Sequence, residues 1–226
     1  MATSTYLKGH IMAAKTNSSD YPVKLEIDYP KELNRLTTFF RLFWAIPVLI
    51  VFSLISVAGG DGSTDKAGKE MIESSGGIAA GLFFATVLLI LFRQRYPRWW
   101  FDFALELNRF STRVGAYLLL LTDLYPSTVE KQSVQLDITY PDVKKDLNRW
   151  LPLVKWFLAI PHYLVLLVLL IAVVVVTIIA WFAILFTGRY PRELFDFVVG
   201  VNRWSFRVSA YAFLLVTDQY PPFRFK

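Results

Sequence analysis

RYPRWWFDFALELNRFSTRVGAY, residues 95–117, is answered by RYPRELFDFVVGVNRWSFRVSAY, residues 189–211. Fourteen of the 23 positions are identical without a gap, which chance does not supply. The correspondence extends outward. VKLEIDYP at 23–30 matches VQLDITYP at 134–141, and LNR at 33–35 matches LNR at 147–149. AIP at 45–47 matches AIP at 159–161, and TDLYP at 122–126 matches TDQYP at 217–221. The chain therefore reads as a flexible tail, residues 1–20, followed by a first repeat at 21–127 and a second at 128–226.

Between the matched strings lie apolar runs. Residues 39–58 carry one charge, Arg41, and at 1.5 Å per residue would span about 30 Å, the thickness of bilayer hydrocarbon. Arg41 is expected to snorkel to the headgroups, and Pro47 to kink this helix without ending it. A second span is expected at about 76–92. Residues 151–187 form one run of 37 residues with a single charge, Lys155. By analogy with the first repeat this run predicts two spans, about 151–168 and 171–187, with a tight turn between 167 and 174. The fold class expected is an all-α membrane protein with minor β. Four transmembrane helices would form two parallel hairpins, with amphipathic helices and short strands on the cytoplasmic side.

Trp99 to Arg113 places Asp102, Glu106, Arg109 and Arg113 on one helical face, which predicts an interfacial helix at about 98–113 and a counterpart at about 192–207. QSVQLDITY, residues 132–140, alternates like a half-buried strand. An isolated strand would leave backbone groups unpaired, so the strands of the two repeats are expected to pair with each other.

The 226 residues are 55% hydrophobic with a mean hydropathy of +0.43. No cysteine is present, which excludes disulfides and thiolate chemistry. The formal net charge of +6 fits nucleic acid or anionic lipid, and the apolar runs select lipid, with no nucleic-acid partner expected. Of 24 Lys and Arg, two lie in the loop at 59–77 and the rest on or near the other side. The positive-inside rule then places both termini on the cytoplasmic side of a multi-pass chain.

Four arginines, Arg95, Arg98, Arg189 and Arg192, stand at the exits of the second spans. They are candidates for two equivalent anionic-lipid sites, or mark topology only. Asp102, Asn108, Arg109 and Arg113, with Asp196, Asn202, Arg203 and Arg207, read as a structural polar network tying each helix to the strands. Asp123 and Asp218 read as turn formers. His10 falls in the tail, and His162, opposite Val48 in the first repeat, reads as a packed or interfacial histidine. No nucleophile motif, phosphate loop or metal-ligand cluster is present, so no catalytic residue, metal or cofactor is expected.

The RYPR-x-x-FDF…NR…R-V-x-A-Y strings, with their TDxYP endings and LNR…AIP beginnings, resemble the DUF4389 domain family of uncharacterised bacterial membrane proteins, present twice over residues 21–223. The resemblance implies a location in the bacterial cytoplasmic (inner) membrane and no activity. The function expected is a non-catalytic accessory or scaffold subunit that binds membrane lipids and partner membrane proteins or itself. A small transporter or channel and a lipid-modifying enzyme are the alternatives.

Overall fold

The computed structural model describes residues 21–57, 77–127, 130 and 132–225. The expected tail at 1–20, with His10, and the polar loop through residue 76 lie outside the described residues. Among those described, the chain is mostly helical with one strand pair. Strand β1, Val23–Ile27, is followed by a short helix α1, Arg35–Phe39, and by α2, Arg41–Val57. Helix α3, Gly77–Leu88, runs into a π-helical turn, Leu89–Arg93, and α4 spans Arg98–Leu118. Then come β2, Val134–Ile138, and the short helices α5, Val143–Asp146, and α6, Lys155–Leu158. The last two helices are α7, Ile160–Thr187, and α8, Arg192–Ala212.

The strands of the two halves do pair. β1 and β2 are antiparallel, with Val23 opposite Ile138, Leu25 opposite Leu136 and Ile27 opposite Val134. Each alternates buried and exposed residues along its length. Two strands alone are marginal, and here the inward face is covered by helices. The packing is crosswise: β1 lies on α8 and β2 on α4, so each strand rests on the helix of the opposite half. Nε of Arg109 donates to the Leu136 carbonyl at 2.8 Å, and Nε of Arg203 to the Leu25 carbonyl at 2.9 Å. Tyr29 donates its hydroxyl to the Tyr190 carbonyl at 2.5 Å, while Tyr140 donates to the Tyr96 carbonyl.

The amphipathic helices begin directly after Pro97 and Pro191, whose fixed φ suits a helix start. Both run five residues beyond the ends expected from charge spacing, because Val114, Ala116 and Tyr117, like Val208, Tyr211 and Ala212, are buried. Each then stops at a leucine in the left-handed region, Leu120 (φ 64) and Leu215 (φ 56). This conformation is rare for a branched side chain, and both leucines are held in it by burial.

The second half corrects the expected turn at 167–174 and with it the two spans at 151–168 and 171–187. α7 is one continuous helix of 28 residues, about 42 Å long. Beyond Pro161, no Gly, Pro, Asn or Asp interrupts it until Gly188, which ends it at φ 74. A sequence of unbroken Leu, Ile, Val and Ala has nothing to pay for opening the backbone hydrogen bonds of a helix. The span expected at 39–58 is α2, with a break at Phe40 separating it from α1; Pro47 sits inside it without ending it. The span expected at 76–92 is α3 with its π turn. These two are shorter apolar helices, and α7 is the one helix among the described residues long and apolar enough to cross a membrane.

α8 returns antiparallel beside α7. Its C-terminal end, Trp204, Val208, Tyr211 and Ala212, packs on the N-terminal end of α7 at Ala159, Tyr163, Leu166 and Leu169. His162, Val173, Ala180 and Ile184 form the buried stripe of α7. The opposite side is bare hydrocarbon: Leu164, Val168, Ile171 and Phe186 are 62–78% exposed. In the first half, Val48 of α2 packs on Phe110 and Val114 of α4, and the matching His162 meets Trp204 in the second.

Candidate functional site: buried ion pairs and an arginine-lined exit

In each half a buried cation opens the first apolar stretch, Arg41 at the start of α2 and Lys155 at the start of α6, just ahead of α7. Arg41 is 3% exposed, so it does not snorkel to a surface. Its Nη1 donates to the carbonyls of Tyr117 at 2.7 Å and Thr122 at 2.6 Å, and its Nη2 pairs with Asp123. The guanidinium lies 4.5 Å from the Tyr117 ring centroid. Lys155 is fully buried, with Nζ 2.8 Å from the Thr217 carbonyl, 2.7 Å from Asp218 and 5.3 Å from the Tyr211 ring centroid. Asp123 and Asp218 also accept the backbone N–H of Asn34 at 2.7 Å and of Asn148 at 2.5 Å. They therefore do more than form turns: each ties the start of an apolar helix to the end of an amphipathic one. A buried charge persists only when paired and hydrogen-bonded, and these are. The guanidinium nitrogens Nη1 and Nη2 of Arg41 and the ammonium of Lys155 are taken up by structural partners, while Nε of Arg41 is buried without one.

The polar residues of α4 and α8 separate into three sets. Arg109 reaches β2 and also pairs with Glu106 at 2.6 Å and Asp137 at 2.8 Å, while Arg203 reaches β1. Arg113 donates to the Ser127 carbonyl and Arg207 to the Arg224 carbonyl at 3.2 Å, so this pair fastens the segments that follow each helix. Asn108 and Asn202 donate back to their own helices, to the carbonyls of Ala104 and Val198. Asp102 and Asp196 are exposed, and Asp196 lies 3.7 Å from Arg192 on the preceding turn.

The four exit arginines are not treated alike. Arg98 lies over the Tyr140 ring at 5.3 Å and Arg192 over the Tyr29 ring at 4.6 Å, a matched pair of cation–π contacts across the halves. Arg189 is 3.9 Å from Glu32. Arg95 instead lines an open cleft with Arg93 and Lys144.

His162 is fully buried and accepts the indole N–H of Trp204 at Nδ1, 3.1 Å away. Its ring stacks on Phe223 with centroids 4.0 Å apart and tilts against Tyr220 at 4.8 Å. The chain after α8 thus closes over it, an aromatic cover that sequence reading missed. Tyr220, Phe223 and Phe225, spaced two or three residues apart after a proline-rich turn, were the available signal. Among the described residues no group of three or more His, Asp or Glu is placed to hold a metal ion.

These features define a mostly helical protein with an apolar helix long enough to cross a membrane. Residues 150–224, comprising α6, α7, α8 and the aromatic cover, match the Domain of unknown function (DUF4389), so the chain contains such a domain. No curated protein and no solved structure matches the chain.

Proposed function

We propose that the chain is a non-catalytic integral membrane protein, built from two copies of the DUF4389 unit, that serves as an accessory or scaffold for partner membrane proteins and anionic lipid. The observation that carries this reading is the outer side of α7. Leu164, Leu167, Val168, Ile171, Val175, Ile178, Phe182 and Phe186 all point outward and are exposed. A contiguous apolar surface of this kind is not kept in water and marks contact with lipid or another membrane protein. α2 adds Leu42, Phe43, Ile46 and Ile50.

The second copy rests on matched contacts as well as on matched strings. Arg41 and Lys155, Arg109 and Arg203, Tyr29 and Tyr140, and Leu120 and Leu215 do the same work at equivalent places. The excess of Lys and Arg outside the apolar helices favours a bacterial inner membrane, and α7 as one continuous span sets its two ends on opposite faces, so a chain crossing by α7 alone, or by α2, α3 and α7, has its termini on opposite sides.

The test is fractionation of the full chain expressed in a bacterium. The protein is expected in the membrane pellet after alkaline carbonate washing, and photo-crosslinkers at Leu167 and Phe182 are expected to capture lipid or a membrane protein. Release into the carbonate supernatant would overturn the reading.

A further inference from the structure

The two halves differ most where their apolar helices end. In the second half, α7 stops on Gly188, and Arg189 sits beside Glu32. In the first half, α3 ends in a π turn that carries Arg93, and Gln94 follows in the left-handed region at φ 47. π turns of this kind concentrate at functional positions. Opposite it, DVKKD at 142–146 stands where the first strand is followed only by KE at 31–32. The three additional residues build α5 and bring Lys144 to face the end of α3.

Between these elements opens a cleft of about 690 Å³, a volume typical of small-molecule sites. Arg93, Arg95 and Lys144 line it, all are exposed, and none forms an ion pair among the described residues. Leu89, Pro97 and Val143 give it an apolar wall. Asp142 also lines it, but its carboxylate is turned onto its own helix, accepting the Lys144 N–H at 3.2 Å and facing Lys145 at 3.5 Å. The cleft is therefore cationic on one side and apolar on the other, at the point where an apolar helix ends.

We infer that this cleft binds a phosphate ester, with Arg93, Arg95 and Lys144 on the phosphate oxygens and Leu89, Pro97 and Val143 against the adjoining carbon chain. Guanidinium groups fork onto phosphate oxygens and an ammonium adds a point charge, which is the combination present. The site is single: the second half has Thr187 and Gly188 where the first has Arg93 and Gln94, and its arginine is answered by Glu32. The inference rests on the membrane reading above only for the source of the ester, since a lipid headgroup and a free phosphate share this chemistry.

The experiment uses the full chain in nanodiscs of phosphatidylcholine containing phosphatidylglycerol, with retained lipid read by native mass spectrometry. Three variants accompany the parent: Arg93→Gln/Arg95→Gln/Lys144→Gln, Lys144→Glu alone, and the control Arg189→Gln/Arg192→Gln. The parent and the control are expected to retain phosphatidylglycerol. The triple variant and Lys144→Glu are expected to lose it at least about tenfold, since each juxtaposed charge contributes on the order of one kcal/mol. Lys144→Glu leaves the end of α3 intact, so its loss does not arise from unfolding there. Excess inorganic phosphate separates the sources. Displacement of the lipid, with phosphate line broadening in the parent, identifies a free phosphate ligand, and persistence of the lipid identifies a headgroup. Equal retention by the parent and the triple variant would overturn the site, as would equal loss in the control. A chain that never enters nanodiscs would refute the membrane reading instead, and phosphate titration in buffer would then decide the cleft alone.

Discussion

Lys155 stands in the second half where Arg41 stands in the first, four residues before the AIP string, and the two are buried against Asp218 and Asp123 in matched turns. The arginine also reaches two backbone carbonyls with one nitrogen, whereas the lysine reaches one. Lys155 therefore depends more heavily on its carboxylate.

Asp218→Ala is expected to destabilise the protein by about 3 kcal/mol, because it leaves a buried ammonium with one carbonyl for company. The figure is at the low end for broken buried pairs because Asp218 keeps some solvent contact. Lys155→Met/Asp218→Ala should recover most of the loss. Thermal unfolding of the detergent-solubilised parent, single and double variants measures both; a double variant as unstable as the single would show that the aspartate acts through Asn148 alone.

Gly200 occupies the position that Glu106 holds in the first half, and a methyl group there would sit 2.8 Å from Cβ of Phe225. Gly200→Ala is expected to cost about 1–3 kcal/mol by displacing the chain that follows α8. In a Phe225→Gly background, which removes that Cβ, the same substitution should be nearly neutral. A double-mutant cycle on melting temperature reads the coupling, and additive effects would mean that Phe225 does not occupy that notch in solution.

Continuity of α7 makes its midpoint intolerant of proline. Leu170 is exposed, so Leu170→Pro loses no core packing, yet it removes a backbone hydrogen bond and clashes with the preceding turn. A loss of about 3 kcal/mol or more is expected, seen as a lowered melting temperature and reduced membrane yield. Ready tolerance would place a turn there after all.

The strand register offers a covalent check. Glu26 lies opposite Gln135, both exposed, and the chain has no cysteine of its own. Glu26→Cys/Gln135→Cys should oxidise to an intramolecular disulfide, since paired positions across antiparallel strands bring Cα atoms to roughly 4.5–5.5 Å. Free-thiol counting before and after reduction reads it. Glu26→Cys/Thr139→Cys, displaced by four residues along the strand, should stay reduced.

Much of this architecture is written locally. The alternation of VQLDI gives β2, and the i, i+4 charges of FDFALELNR give α4. The exchange of partners between halves is not local. That β1 rests on α8 depends on Arg203 meeting the Leu25 carbonyl, a contact 178 residues apart in sequence, and no periodicity announces it. The buried pairs were half visible. Arg41 and Lys155 are the lone charges in their apolar runs, and an aspartate recurs in each TDxYP string. Joining the two requires knowing that the chain after an amphipathic helix returns to the start of the apolar one. The continuous α7 was obscured by analogy, because a helix interrupted in the first half suggested an interruption in the second. The placing of Arg98 and Arg192 over tyrosine rings depends on side-chain direction, which spacing alone does not give.

The crosswise seating of the strands bears on how the protein is made. β1, ending at Ile27, emerges from the ribosome long before the helix that covers it, α8, which starts only at Arg192. β2 must also appear before β1 gains a backbone partner. The nascent chain therefore carries an unpaired strand until Val134–Ile138 has emerged, a state open to wrong partners. Neither half can be released as a finished unit. A gene split between the repeats would yield two fragments that complete each other only by meeting, and a premature stop before α8 would leave β1 without its cover.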